Sequence, residues 1–437
     1  MIVIRYLVGI VMTAVAASFA TYYSLNCGDA CNLFTKAITT VAEAPMILAN
    51  SVKAKPPLVA DVANYSDGVN QIGLYLNPDY DNSGKYLLLT RREINIDQPV
   101  VELIDLDDGD VVWRWSVDVE SLKAEAADSR AKAFRIFHPQ LTKSGDLVFK
   151  NHTSPLYAID VCGALIWSNH EYVFHHSTEI SMDRIFVPIK KASSGNVYDN
   201  EWDQTRTEYS QDDGWAELSL DGEIVATHSL YDIMKSNSID FLAFGLGKGI
   251  NGDNYHLNDV EVMDEEGGFY RKGDVFLSLR TPSLVMQYRP ATNRIVWYSV
   301  GPWSQQHDVS IYNDQITVFD NNISFLKGID RRSPGNRMFR IRPTGFNQTE
   351  VLAVHDLRDS RTVTSGRANL TPDGIFVEDT NGGRVYEMTK NGEVLWQYLN
   401  FDPETGESGR LAWSSLIMEL PKQTIERLTS ADCAPPN

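Results

Sequence analysis

Five of the nine histidines in this chain, His138, His175, His176, His256 and His307, stand at or near the start of a short apolar segment that reads as a β-strand. Arg91, Lys150, Lys190 and Arg280 close the segments that follow, and Arg367 opens a later one. Imidazole can attack an electrophile or carry a proton near neutral pH. Guanidinium offers planar, multi-donor contacts to sulfate or phosphate oxygens. Together they suit an anion whose charge moves during a reaction. A metal site is the other use of several histidines, but only Asp259 and Asp308 are nearby carboxylates and the imidazoles fall on separate segments. We therefore expect neither a metal nor a cofactor. The bland alternative is that each imidazole satisfies the backbone of a neighbouring strand.

The elements that position these residues recur. An apolar strand, a polar turn and a second strand often holding Trp occur as VVELIDLDDGDVVWRW from Val100 and PLYAIDVCGALIWSN from Pro155. The pattern returns from Gly214, Ser283, Arg337 and Arg384, roughly 45–70 residues apart, a spacing suited to propeller blades. Two further strands precede each copy. The nearer begins YLLLTRR in the first copy and DVFLSLR in the fourth. The earlier set is VNQIGLYLN, FRIFHPQLTK, FHHSTEISM, YHLNDVEVMD, QQHDVSIYN and SGRANLTP. Four strands repeated six times predict an all-β fold, a six-bladed β-propeller over residues 66–400. A pair of β-sandwiches competes but gives no reason for six repeats. In a propeller the first strand of each blade lines the channel, so strand-one starts and strand-two ends open at one mouth. His256 and Asn258, two residues apart on a strand, share a face. An insertion, Tyr231 to Asn254, suggests a short helix and a Gly-rich loop, and residues 401–437 suggest a strap across one face.

The chain has 437 residues, 43% hydrophobic and 22% charged, which excludes a disordered chain. Its formal charge of −19 argues against nucleic acid, whose phosphates need clustered cations. Four cysteines are too few for a disulfide scaffold, and none form a zinc-type pair. Cys27 and Cys31 have helix-like spacing, where a bridge would be strained. From Tyr6 to Tyr23 there are 18 uncharged residues, close to the length of a membrane span. Residues 1–23 are thus a transmembrane anchor or a cleaved signal, and residues 24–65 a short helix and linker. Either way the propeller would lie outside the cytoplasm, periplasmic or luminal.

These residues resemble the arylsulfotransferase family, six-bladed propellers that move a sulfuryl group between phenols. The resemblance spans roughly residues 66–400. SQQHDVSIYNDQITVFDN, Ser304 to Asn321, is similar to the stretch carrying the family's catalytic His. HLNDVEV from His256, the SLR ending at Arg280, and FHHSTEI from Phe174 match further family elements in order. The resemblance implies that His307 attacks sulfur and holds the sulfuryl group as sulfohistidine. It implies that His256, Asn258 and Arg280 bind sulfate oxygens and that His176, or His175, assists at the phenolic oxygen. Arg367 and His138 complete the expected substrate-binding set. The implied partners are a small aryl sulfate and a phenol, with no PAPS and no metal. Ser177 stands where the family's usual His-His-Asp places a carboxylate that could orient a His. The competing reading is an inactive propeller serving as a membrane-anchored binding or scaffold protein.

Overall fold

The computed structural model describes residues 72–93, 98–115, 117, 122, 134–190, 213–244, 253–326, 330–357, 360–403 and 407–433. The chain divides into two units, Met1–Leu58 and Val59–Asn437. The expectations for residues 1–65, including Cys27 and Cys31, lie outside the described residues. Among the described residues no helix is long and apolar enough to cross a membrane.

The second unit is a β-propeller built from antiparallel sheets. One sheet has five strands, one has eight, and three have four; two small two-stranded ribbons complete the set. The eight-stranded sheet consists of two successive four-stranded meanders. They are joined where the end of strand Leu165–His175 pairs with strand Arg184–Lys190, Phe174 against Ile189 and Val173 against Lys190. Middle strands are buried on both faces, as in Val275–Leu279 and Ile375–Asp379, so they read as continuous apolar runs.

The core lies between neighbouring sheets. Trp215 packs with Leu257, Leu277 and Leu284 of the next sheet, and Leu103 and Trp115 pack with Phe149 and Tyr157. The Trp residues that mark the repeat fill these wedges: Trp115, Trp297 and Trp396 are almost wholly buried. At about 25 cal/mol per Å² of buried apolar surface, such rings dominate each interface.

Ring closure differs from the sequence expectation. Within VNQIGLYLN, Gly73–Leu76 does not line the channel. It pairs with Val394–Leu399 as a fifth, outermost strand of the last sheet. The innermost strand of the first sheet is Ser415–Ile417, from the region expected to be a strap, paired with Tyr86–Glu93. The physical reason is packing: Leu74 and Leu76 join a cluster with Leu87, Leu395 and Trp396, between the first and last sheets. Strand alternation alone cannot distinguish that seat from the channel.

The C-terminal segment is fixed further on. Helix Lys422–Ser430 buries Leu428 against the Leu147 and Phe149 cluster. Thr424 Oγ1 donates to the Lys143 carbonyl at 2.8 Å, and a disulfide joins Cys162 to Cys433. The insertion carries its helix at Leu230–Ser236, capped by Ser229 Oγ, which accepts from Asp232 N–H.

Candidate active site

The innermost strands begin irregularly, and the irregularity aims their side chains. Register shifts fall between Phe137 and Gln140, Leu257 and Asp259, and His307 and Val309. Such bulges turn a strand and redirect its residues. His138, His176, His256 and Asp308 adopt φ of 46°, 56°, 50° and 46°, the left-handed region that non-glycine residues seldom occupy. Strain of this kind collects where geometry matters more than stability.

The outcome is a cluster of imidazoles at one mouth. The His176 ring lies 5.0 Å from His256, 6.1 Å from His307 and 4.8 Å from His152, centroid to centroid. His175 stands behind His176, with their Nδ1 atoms 2.8 Å apart, so one donates and the other accepts. Trp413 closes one side, 6.4 Å from His307 and 5.3 Å from His138. Among the described residues no three His, Cys, Asp or Glu side chains are placed to hold a metal ion.

His307 is almost wholly buried and held at both nitrogens. Its Nδ1 lies 2.6 Å from Asn321 Oδ1. The Asn321 amide cannot turn over, because Nδ2 donates to the carbonyls of Ser365 at 2.8 Å and Thr362 at 3.1 Å. Nδ1 therefore carries the hydrogen, and Nε2 keeps its lone pair, facing Ser365 N–H at 3.3 Å. Burial, and next the charge of Arg280, hold His307 well below the ordinary imidazole range. Its neutral, nucleophilic form is the stable one.

His256 has a different partner. Its Nδ1 donates to the Asp253 carboxylate in a short hydrogen bond, and Lys190 Nζ lies 3.6 Å from the other Asp253 oxygen. Burial lowers the His256 pKa while Asp253 opposes that fall. Arg280 N–H donates to the His256 carbonyl at 3.0 Å, and the Arg280 charge depresses both His256 and His307. Asn258 Nδ2 donates to the Gln306 carbonyl at 2.7 Å, which holds the residue before His307.

Polar residues beside the expected site positions join neighbouring strands. Ser177 Oγ accepts from Val260 N–H at 3.1 Å, Asp259 Oδ2 from Val309 N–H at 2.6 Å, and Asp308 Oδ2 from Ala368 N–H at 3.0 Å. His138 does the same work, its Nδ1 accepting from Thr178 N–H at 2.9 Å. The position of Ser177 is thus a latch between innermost strands, and a hydroxyl fills it as a carboxylate does. Arg367 donates through Nε to Asp308 and places Nη1 3.0 Å from His138 Nε2. Its Nη1 also donates to the Ser414 carbonyl, and its guanidinium lies 5.6 Å from the Trp413 ring centroid. Arg367 and His138 are therefore engaged in joining strands, which for His138 is the bland role that the sequence allowed each imidazole.

Arg91 is likewise paired, with Glu102 at 3.0 Å. Lys150 is fully buried with Nζ 2.6 Å from Thr178 Oγ1, and burial drives its pKa well down. Sequence reasoning missed Asn321, Asp253, Ser365, His152 and Trp413 as members of the site. Asn321 ends the quoted motif and His152 follows Lys150 at the end of a second strand, so repeat position could have flagged both. Asp253 lies in an insertion and Trp413 in the presumed strap, where no repeat register applies.

Fold and site together define an all-β propeller whose strand starts gather imidazoles and a guanidinium around one buried, amide-held histidine. A family model described as arylsulfotransferase (ASST) matches residues 138–401, more than half of the sequence, and the chain belongs to that family. No functionally curated protein matches the sequence. Among solved structures, a protein of unknown function from Bacteroides caccae is similar at 12% identity, covering 77% of this chain and 100% of that one, TM-score 0.48. A virginiamycin B lyase from Staphylococcus aureus is similar at 10% identity, covering 59% of this chain and 68% of that one, TM-score 0.34. A streptogramin B lyase is similar at 10% identity, covering 79% and 98%, TM-score 0.39. At these scores the likenesses carry no argument.

Proposed function

We propose that this chain transfers a sulfuryl group from an aryl sulfate to a phenolic acceptor through a sulfohistidine intermediate on His307. Family membership supports the reaction class. The single observation that carries the assignment is the arrangement around His307: Nδ1–H donates to Asn321 Oδ1, and Nε2 is unprotonated, its lone pair accepting a 3.3 Å hydrogen bond from Ser365 N–H that substrate would displace. Attack by Nε2 on sulfur forms an N–S bond as the S–O bond to the aryl group breaks, and the phenoxide leaves. The ring gains positive charge, which the Nδ1–H bond to Asn321 helps to spread. Arg280, whose charge reaches both His256 and His307, is suited to hold the sulfuryl oxygens as charge builds on them. A phenoxide is a good leaving group, so the step needs no metal. The feature that favoured an inactive scaffold, Ser177 in place of a carboxylate, loses its force because that position latches backbone.

We count six blades by taking the two meanders of the eight-stranded sheet separately, with Ser415–Ile417 completing the first blade. We place the propeller outside the cytoplasm, tethered or released by the apolar segment 1–23. The Cys162–Cys433 disulfide supports an oxidising compartment. The test is incubation of purified protein with 4-nitrophenyl sulfate and phenol. The expected result is nitrophenol release and phenyl sulfate formation, abolished by His307→Ala. Undiminished turnover in that variant refutes the assignment.

A further inference from the structure

We propose that Asp253, carried by the insertion between residues 231 and 254, makes His256 the proton carrier of the acceptor half-reaction. This rests on the sulfotransferase reading above and moves a role within it. The resemblance points to His176 at the phenolic oxygen and gives His256 to the sulfate. The hydrogen bonds favour the opposite division. His176 shares its Nδ1 contact with another imidazole, His175, so neither ring has a fixed negative partner there. His256 is the member of the cluster whose Nδ1 donates to a carboxylate. That bond sets its tautomer, leaves Nε2 as the acceptor, and stabilises the imidazolium that forms when Nε2 takes a proton. His307, bound to a neutral amide, lacks that support. His256 and His307, whose rings lie 5.0 and 6.1 Å from that of His176, are thus set differently, one to carry a proton and one to attack.

The step balances. The acceptor phenol gives its O–H proton to His256 Nε2 as its oxygen attacks sulfur. The new S–O bond forms, the N–S bond to His307 breaks, and the electron pair returns to His307 Nε2. Asp253 holds the resulting positive charge. In the next donor half-reaction His256 passes that proton to the departing phenoxide. The charged and titratable groups acting on His256 are Asp253, Arg280 and Lys190. His152, His175, His176 and His307 feel its charge in turn. Only Asp253 among these favours the protonated ring, so its removal has a defined sign. Asp253 is a positioning residue, acting through His256.

The experiment compares wild type, Asp253→Asn and Asp253→Ala in the two half-reactions. The first is the burst of nitrophenol from 4-nitrophenyl sulfate without acceptor; the second is turnover of the sulfated enzyme by added phenol across pH. In Asp253→Asn we expect the burst to fall less than the acceptor step, because nitrophenoxide leaves without protonation whereas the acceptor phenol must lose its proton. The acceptor step should fall about 100-fold or more, the scale of a positioned general acid–base contribution. Its acidic limb should move to lower pH by about one unit or more, since a carboxylate beside His⁺ raises its pKa. Asp253→Ala should show at least the same loss. An unchanged acceptor-step pH profile in Asp253→Asn, or equal losses in both half-reactions, overturns the proposal. No burst from the wild type removes the sulfotransferase reading itself, and this proposal with it.

Discussion

Replacing Asn321 with Ala tests how His307 is made nucleophilic. Asn321 is fully buried and makes three side-chain hydrogen bonds, at 2.6 Å to His307 and at 2.8 and 3.1 Å to two carbonyls. Removing it leaves three buried polar groups without those bonds, each worth about 1 kcal/mol or more. The fold should therefore lose about 2–4 kcal/mol, which is read as a lower melting temperature. The catalytic loss is separate. Without Oδ1 only the longer contact from Ser365 N–H to Nε2 still sets the tautomer, and the ring can turn. Taking about 2 kcal/mol for that orienting bond, the burst rate should fall about 30-fold. Asn321→Asp separates tautomer from charge. A carboxylate still accepts from Nδ1–H but also stabilises the imidazolium, so the His307 pKa rises. Because burial and Arg280 hold that pKa well below its usual value, the wild-type burst should stay level as pH falls past the ordinary imidazole range. In Asn321→Asp the acid limb should move upward by about one unit or more, whereas Asn321→Ala should lower the rate without raising that limb. The assay is stopped-flow nitrophenol release from pH 5 to 8, roughly bracketing the free imidazole pKa. An Asn321→Ala burst within twofold of wild type refutes the argument.

Arg280→Gln should slow the burst about 100- to 1000-fold if the guanidinium meets developing charge on the sulfuryl oxygens. It should also raise the acid limb, because the Arg280 charge is second only to burial in depressing His307; single-turnover kinetics check both. Ser177→Ala should cost about 1 kcal/mol through loss of the Val260 N–H partner. Ser177→Asp should restore that bond, with turnover unchanged in both; denaturant titration and steady-state kinetics decide. Replacing Cys162 and Cys433 together with Ser should destabilise by about 6 kcal/mol at most on the loop-entropy account, since the bridge closes residues 271 apart. Calorimetry measures it.

The propeller was legible because its repeat is a physical necessity. Each four-stranded unit buries its faces only against its neighbours, so apolar strands and turn residues recur in step. The insertion's helix was legible too, since Leu230, Ile233 and Met234 present one apolar face. For the site, gathering at one mouth followed from antiparallel geometry: His176, His256 and His307 do come together, and Arg280 acts on two of them. Partner identity was not legible. Whether an imidazole faces an amide, a carboxylate or another imidazole depends on bulges and on residues with positive φ. Those are local departures from the alternation that makes strands readable. The same departures turned His138 and Arg367 toward neighbouring strands.

Closure and site assembly are linked through one segment. Residues 411–417 follow the stretch matched by the family, and they perform two tasks. Ser415–Ile417 supplies the innermost strand of the first sheet, while Trp413, at φ 66°, places its ring against His138 and His307. Glu378, on the last sheet, accepts from Trp413 N–H at 2.9 Å and also from Ser414 N–H. Arg367 binds the Ser414 carbonyl while holding Asp308, the residue after His307. A ring left open at this seam would lose both the wall beside His307 and the ion pair that fixes the next residue. The seam, rather than any single sheet, therefore supplies the surroundings of the buried histidine on that side. The helix and the disulfide beyond it tie the end of that segment to the neighbouring sheet, through Leu428 against Leu147 and Phe149 and through Cys162.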